Sequence, residues 1–296
     1  MFVVAHHSSA QSPAPPYPAP GQLVDVGGYR VHLYCTGQGM PTVMVVGAGF
    51  SFDWGLVQPH VAKFTRICTY DVSGTAWSDS GPPLTCSERV DEVHKLLTNA
   101  KMEGPYVFVG LSIGALVARV YASQYPSEVA GLVMVDHAFI DVGAANSSLP
   151  ASPGPDSPPV LIYRTPIILT VEDTSDFDKL PERIQRLHRW AVSLKPVPAT
   201  VETAEDCLFQ LRHAGRDDHP LGDIPLVVVS TGNKHPNYNK LQTGLLSLSS
   251  RSKQLIAERS FHSVEIDQPE VVIDAISRAV EMVRKSGSPA KPAERR

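Results

Sequence analysis

Apolar positions fall into two rhythms along the chain. Leu23–Val26 and Tyr29–Cys35 alternate around Gly27-Gly28 and read as a hairpin. Thr42–Val46, Arg66–Tyr70, Tyr106–Val109, Val129–Val135 and Leu226–Ser230 are short, nearly continuous apolar runs, the pattern of strands buried on both faces. Lys253–Ala257 is a last strand-like piece. Helical spacing occupies the intervals: Ser87–Ala100 carries Val90, Val93, Leu96 and Leu97 on one face, and Ile113–Ser123 follows the Tyr106 strand directly. Strands alternating with helices predict an α/β fold with a mostly parallel sheet covered on both sides.

The alternation stops after Asp141 and resumes at Leu226. Residues 146–160 are rich in Ser, Pro and Gly, and 176–213 read as charged helices. The division is a core over 22–140 and 223–286, a helical cap insertion over 141–222, and a disordered tail at 287–296. Asp267-Gln268-Pro269-Glu270 reads as a capping box opening a final helix whose buried stripe is Val272, Ile276, Ala279 and Val283.

Composition narrows the function classes. With 296 residues, 43% hydrophobic and 19% charged, the chain can bury a large core. A net charge of −4 and a pI near 6.2 offer no footprint for nucleic acid, and no apolar run reaches the roughly 20 residues that span a bilayer. Met1–Ala5 lacks the basic start and apolar core of a signal peptide. Ser8-Ser9-Ala10-Gln11 does carry the small residues of a cleavage site, so the compartment stays open between the cytoplasm, by default, and export through a shortened signal. Residues 1–21 read as a disordered proline-rich leader. Cys35 and Cys68 lie in apolar runs and read as buried free thiols, whereas Cys86 and Cys207, in more polar stretches, could pair if the protein is exported, a point the sequence leaves open. No Cys-x-x-Cys or His-x-x-x-His spacing calls for a metal, and His213 and His219 around Asp217-Asp218 read as a solvated loop.

The chemistry centres on Gly110-Leu111-Ser112-Ile113-Gly114. A bare Gly-x-Ser-x-Gly arises by chance, but here it joins a buried strand to a helix, the sharp turn that projects a serine Oγ clear of a sheet. The helix N-terminus favours the negative charge that develops there. A serine hydroxyl needs a base. Of eleven histidines, His262 is best placed, in the loop after the last strand and before the final helix; His137 and His235, also at strand ends, rank behind it.

The order of these motifs resembles the α/β-hydrolase fold, and within it the carboxylesterase-like members with a helical cap. The resemblance spans roughly residues 23–285. It rests on Gly47-Ala48-Gly49-Phe50, Tyr70-Asp71 with Gly74 and Ser78-Asp79, Gly110–Gly114, and His262 before Asp267-Gln268-Pro269-Glu270. It implies an eight-stranded sheet, a cap borne by the insertion, and an oxyanion hole from the backbone N–H groups of Phe50 and Ile113. Asp71 resembles an aspartate that shapes the turn near the oxyanion loop. The chain departs from the family pattern twice. Ala48-Gly49 stands where His-Gly is common, and the loop Thr231-Gly232-Asn233-Lys234-His235, where the triad acid usually follows, has no carboxylate. Asp136, one strand earlier, is the expected substitute, a position haloalkane dehalogenases of this fold use for their acid. Asn233 is the alternative orienting residue, ahead of Asp141 and Asp267.

The expectation is therefore a serine hydrolase of carboxylic esters with small or medium acyl groups: Ser112 as nucleophile, His262 as base, Asp136 as acid. A serine at the elbow argues against haloalkane dehalogenase and epoxide hydrolase chemistry, which use aspartate there. Lactones and amides stay open as substrates, and Phe177, Leu180, Leu187, Trp190, Leu208 and Phe209 are candidates to line an acyl pocket. No cofactor, metal, nucleic acid or membrane insertion is called for, and the oligomeric state is undetermined. The rival reading is a receptor-like protein that keeps the fold and binds a ligand without turnover.

Overall fold

The computed structural model describes residues 13–47, 49–82, 85–137, 177–194, 201–213, 219–232 and 236–287. Their strands are β1 (Gln22–Asp25), β2 (Arg30–Thr36), β3 (Thr42–Val46), β4 (Ile67–Tyr70), β5 (Tyr106–Leu111), β6 (Val129–Val135), β7 (Leu226–Thr231) and β8 (Ser252–Ala257). They form one sheet in the order β1-β2-β4-β3-β5-β6-β7-β8, antiparallel for β1-β2 and β2-β4 and parallel from β4 onward. The central strands are apolar throughout because both faces are covered. In β5, Phe108 packs on one side of the sheet while Val107 and Val109 pack on the other; Met44 against Val45, and Met134 against Val135, divide in the same way. Complete burial of such side chains contributes roughly 1.5–3 kcal/mol each.

One face is covered by α2 (Cys86–Asn99) and α3 (Ile113–Gln124), the other by α1 (Gln58–Val61) and α8 (Pro269–Lys285). The expected stripe of α8 packs there, with Val283 only partly buried. Asp267 is not its cap. It ends a separate short helix, α7 (Val264–Asp267), and Gln268 precedes α8 without a side-chain capping bond. Asp267 instead pairs with Lys179 and accepts the N–H of Phe261 at 3.4 Å.

The described part of the insertion divides between two jobs. Helix α4 (Glu182–Ser193) sits over the 3-10 turn Ser51–Leu56, where Leu187 and Trp190 pack with Phe50. Helix α5 (Val201–His213) belongs to the core layer, against α2 and α3, with Ala204 and Cys207 in the main apolar cluster. Within the insertion expected over 141–222, α5 is thus the described part that packs on the core. Leu208 packs against the main core and Phe209 is exposed, so neither supports a pocket-lining role. The reason is the disulfide Cys86–Cys207, which fastens α5 to the start of α2. Cys35 and Cys68, read as free thiols, are also joined. They are register partners on β2 and β4, with Cα atoms 4.0 Å apart. No helix among the described residues is long and apolar enough to cross a membrane.

Residues 13–20 of the expected leader are fastened to the surface by hydrogen bonds from Trp190, Trp77 and His32, while residues 1–12, and 288–296 of the tail expected over 287–296, lie outside the described residues.

Candidate active site

Ser112 occupies the turn between β5 and α3 with φ 54° and ψ −121°, a backbone conformation that L-residues rarely adopt. Two glycines make it possible. A Cβ on Gly114 would collide with the carbonyl of Val46, and one on Gly110 would stand 2.5 Å from the Cα of Ala115. The Ser112 N–H donates to the Val135 carbonyl at 3.0 Å, which ties the turn to the end of β6. Ile113 begins α3, so its N–H is one of those a helix leaves without an internal partner.

Asp136 follows β6 and is likewise left-handed, at φ 39°. Since Leu111 and Val135 are register partners, Ser112 and Asp136 emerge at the carboxyl ends of neighbouring parallel strands. His262, beyond β8, completes the group: its Nδ1 lies 2.6 Å from Asp136 Oδ2 across 126 residues of sequence. Its Nε2 is buried and has no partner among the described groups, although the ring as a whole is 38% exposed. An Nδ1–H donated to a carboxylate leaves Nε2 as the basic nitrogen. The structure thus brings His262 to Asp136 and sets Ser112 at the adjacent strand end.

The second oxygen of Asp136 has a partner that sequence reasoning missed. Helix α6 (Pro236–Gly244) presents Tyr238, whose hydroxyl donates to Asp136 Oδ1 at 2.6 Å. That hydroxyl accepts from the Thr231 N–H at 2.8 Å and lies 3.0 Å from Thr231 Oγ1. Burial and the neighbouring Asp136 carboxylate push the Tyr238 pKa up, so it stays a donor. The end of β7, where the sequence has no acid, supplies instead a chain of hydrogen bonds that holds the acid of β6. Its only sequence signal was a tyrosine seven residues past a strand end, too weak to single out. Asn233 and His235 lie outside the described residues. His137 is buried, and burial together with the nearby Arg119 cation holds its pKa down to about 3, which makes it a poor base.

The loop after β3 carries Phe50, expected as an oxyanion donor. In this structure the Phe50 N–H donates to Asp53 Oδ2 at 2.9 Å, within its own turn. Asp53 is held in turn by the insertion, with His188 Nδ1 3.0 Å from Asp53 Oδ1 and both side chains nearly fully buried. Asp71 supports the same loop from below: Oδ1 accepts the Ser51 N–H at 2.7 Å and Oδ2 meets His32 Nδ1 at 2.8 Å. This agrees with the shaping role its motif implied.

Glu265 is buried beside this site, one of its carboxylate oxygens unpartnered. Burial first, and the charges of Asp53, Asp267 and Asp136 after it, hold its pKa well above the ordinary value. For an acid raised in the folded state, the stability it contributes is complete below the unfolded value of about 4.3 and is lost as pH rises above it. Glu265→Gln is accordingly expected to flatten the fall of Tm with rising pH. The gap between variant and parent should widen from about pH 4.3 upward, as thermal denaturation across a pH series would show. Parallel curves would mean that Glu265 ionises as freely folded as unfolded. No cluster able to hold a metal occurs among the described residues.

The fold is shared with known proteins. Residues 39–156 match the family model described as the alpha/beta hydrolase fold. An uncharacterized Schizosaccharomyces pombe protein is 33% identical over 151 residues, 40% of this chain; the match spans only 28% of that protein's length. An uncharacterized Bacillus subtilis protein, YqjL, is 25% identical over 80% of this chain and 82% of its own. Among solved structures, a thermophilic esterase from Thermogutta terrifontis superposes with a TM-score of 0.59 at 21% identity, over 86% of this chain and 94% of that one. With the described strands β1–β8 in one mostly parallel sheet and the serine turn between β5 and α3, this chain has the α/β-hydrolase fold.

Proposed function

We propose that the chain is a serine hydrolase cleaving carboxylic esters of small or medium acyl groups through an acyl-enzyme. The observation that carries this reading is the 2.6 Å contact between His262 Nδ1 and Asp136 Oδ2, one strand from a serine in the strained elbow conformation. His262 Nε2 takes the proton as Ser112 Oγ attacks the ester carbonyl carbon. Negative charge gathers on the carbonyl oxygen, and the Ile113 N–H, with the N-terminal dipole of α3, stabilises it. The intermediate collapses with cleavage of the C–O bond, and His262 returns the proton to the departing alcohol. Water, deprotonated by the same nitrogen, then releases the acid and restores Ser112. The Phe50 N–H would be the second donor of this oxyanion hole, and to serve it must leave the Asp53 carboxylate that it meets in this structure. The likeness to an esterase of the same fold supports the choice of esters.

A fluorophosphonate probe followed by mass spectrometry tests the nucleophile, with turnover of p-nitrophenyl acetate and butyrate alongside. The expected result is a single adduct on Ser112, absent in Ser112→Ala, and multiple turnovers of both esters. Folded protein that leaves Ser112 unlabelled would sink the reading, and labelling with no turnover would favour a ligand-binding homologue.

A further inference from the structure

The segment Pro13-Ala14-Pro15-Pro16-Tyr17-Pro18-Ala19-Pro20 pairs with no strand, yet it is held at three carbonyls. The Trp190 indole N–H donates to the Pro13 oxygen at 2.9 Å and the Trp77 indole N–H to the Tyr17 oxygen at 3.4 Å. The His32 Nε2 bonds the Pro20 oxygen. Prolines offer no N–H, so every donor must come from the surface beneath, and here all three do. The prolines at 13, 15, 16 and 18 stay exposed while Tyr17 is partly buried, packed on the cluster of Phe50, Leu187 and Trp190. The Arg183 guanidinium lies 4.2 Å over its ring. The groove itself is aromatic, with the Trp77 and Trp190 rings 5.6 Å apart and Phe52 edge-on to Trp77 at 5.5 Å. Aromatic walls with indole donors aimed at carbonyls are the physical means by which extended proline-rich segments are recognised.

The groove also crosses a seam. Trp77 and His32 belong to the core, whereas Trp190 and Arg183 lie on α4. We infer that Trp77, Trp190 and Arg183 form a binding surface for a proline-rich ligand, that residues 13–20 are its occupant in cis, and that this occupancy clamps α4 against the core. The clamp reaches the candidate site by a short path, because α4 also carries His188, whose bond to Asp53 sets the turn of Phe50. A segment pre-extended by its prolines loses little entropy on docking, so one aromatic anchor and three hydrogen bonds are enough to hold it.

The test uses the full chain. Tyr17→Ala removes the anchor of the cis ligand, and Trp190→Phe keeps the ring while deleting one donor. Hydrogen exchange of the α4 amides is expected to quicken about tenfold or more in Tyr17→Ala while α8 is unchanged. A synthetic peptide of residues 12–21 should bind the Tyr17→Ala chain saturably, read by tryptophan fluorescence, and return α4 exchange to the parental rate. It should bind the parent chain about tenfold or more less tightly, since the groove is already filled. Adding Trp190→Phe should weaken peptide binding. The inference is overturned if α4 exchange is unaltered in Tyr17→Ala, if α8 quickens equally, or if the peptide does not bind that variant. None of these readouts depends on ester hydrolysis, so failure here and failure of Ser112 to label are separate results.

Discussion

Asp136→Asn is expected to lower kcat for p-nitrophenyl butyrate by about 10²- to 10⁴-fold with little change in KM. The loss comes from charge and also from the orientation that the surroundings impose on the amide. Tyr238 accepts the Thr231 N–H and spends its own proton on the oxygen at the Oδ1 position. The asparagine carbonyl will therefore settle there, which turns its NH₂ toward His262. Facing a donor, Nδ1 must accept, so the ring proton moves to Nε2 and the nitrogen proposed to serve Ser112 can no longer take a proton. Tyr238→Phe alone should cost less than Asp136→Asn, since the carboxylate still binds Nδ1–H. In the double variant the amide is free to flip, so Asp136→Asn/Tyr238→Phe should be faster than Asp136→Asn. A double-mutant cycle on kcat reads this coupling directly. Near-parental rates in Asp136→Asn would remove Asp136 from the mechanism, and simple additivity would remove the orienting role of Tyr238.

The largest expected loss of stability follows removal of the Cys86–Cys207 bridge. The cysteines are 121 residues apart, and closing a loop of that length in the unfolded chain corresponds to about 5 kcal/mol in the chain-entropy account, with measured losses more often 2–5. Cys35–Cys68 closes 33 residues between strands already in register, which gives a smaller figure of about 4 kcal/mol. Cys86→Ala/Cys207→Ala should therefore shift the chemical denaturation midpoint further than Cys35→Ala/Cys68→Ala. The bridge is reinforced where it anchors: Asp206 Oδ2, beside Cys207, accepts the Cys86 N–H at 2.9 Å. Thiol titration of the unfolded, unreduced chain should find no free cysteine, since all four are paired. A midpoint unmoved by loss of the 86–207 pair would mean that the bridge does not restrain the unfolded chain.

The difference between what could be read early and what could not follows the range of the forces involved. Alternation of Val107, Phe108 and Val109 across a sheet, and the spacing of Val272, Ile276 and Ala279 along a helix, are properties of neighbouring residues. The elbow is equally local, because the crowding that demands Gly110 and Gly114 comes from the turn itself and the next strand. Ser112, the parallel sheet and the place of His262 at a strand end were accordingly determined by the sequence. Which carboxylate faces His262 depends on the order of strands in the sheet, which puts the ends of β5 and β6 side by side. Four cysteines with no diagnostic spacing left 86–207 as a candidate pair only and gave no sign that 35 meets 68. Nor could composition show that an N-terminal run of prolines finds two indoles, one on each side of a seam, or that Asp53 takes the amide of Phe50. Those outcomes belong to the tertiary structure, since a hydrogen bond or disulfide between distant residues depends on packing that no single segment encodes.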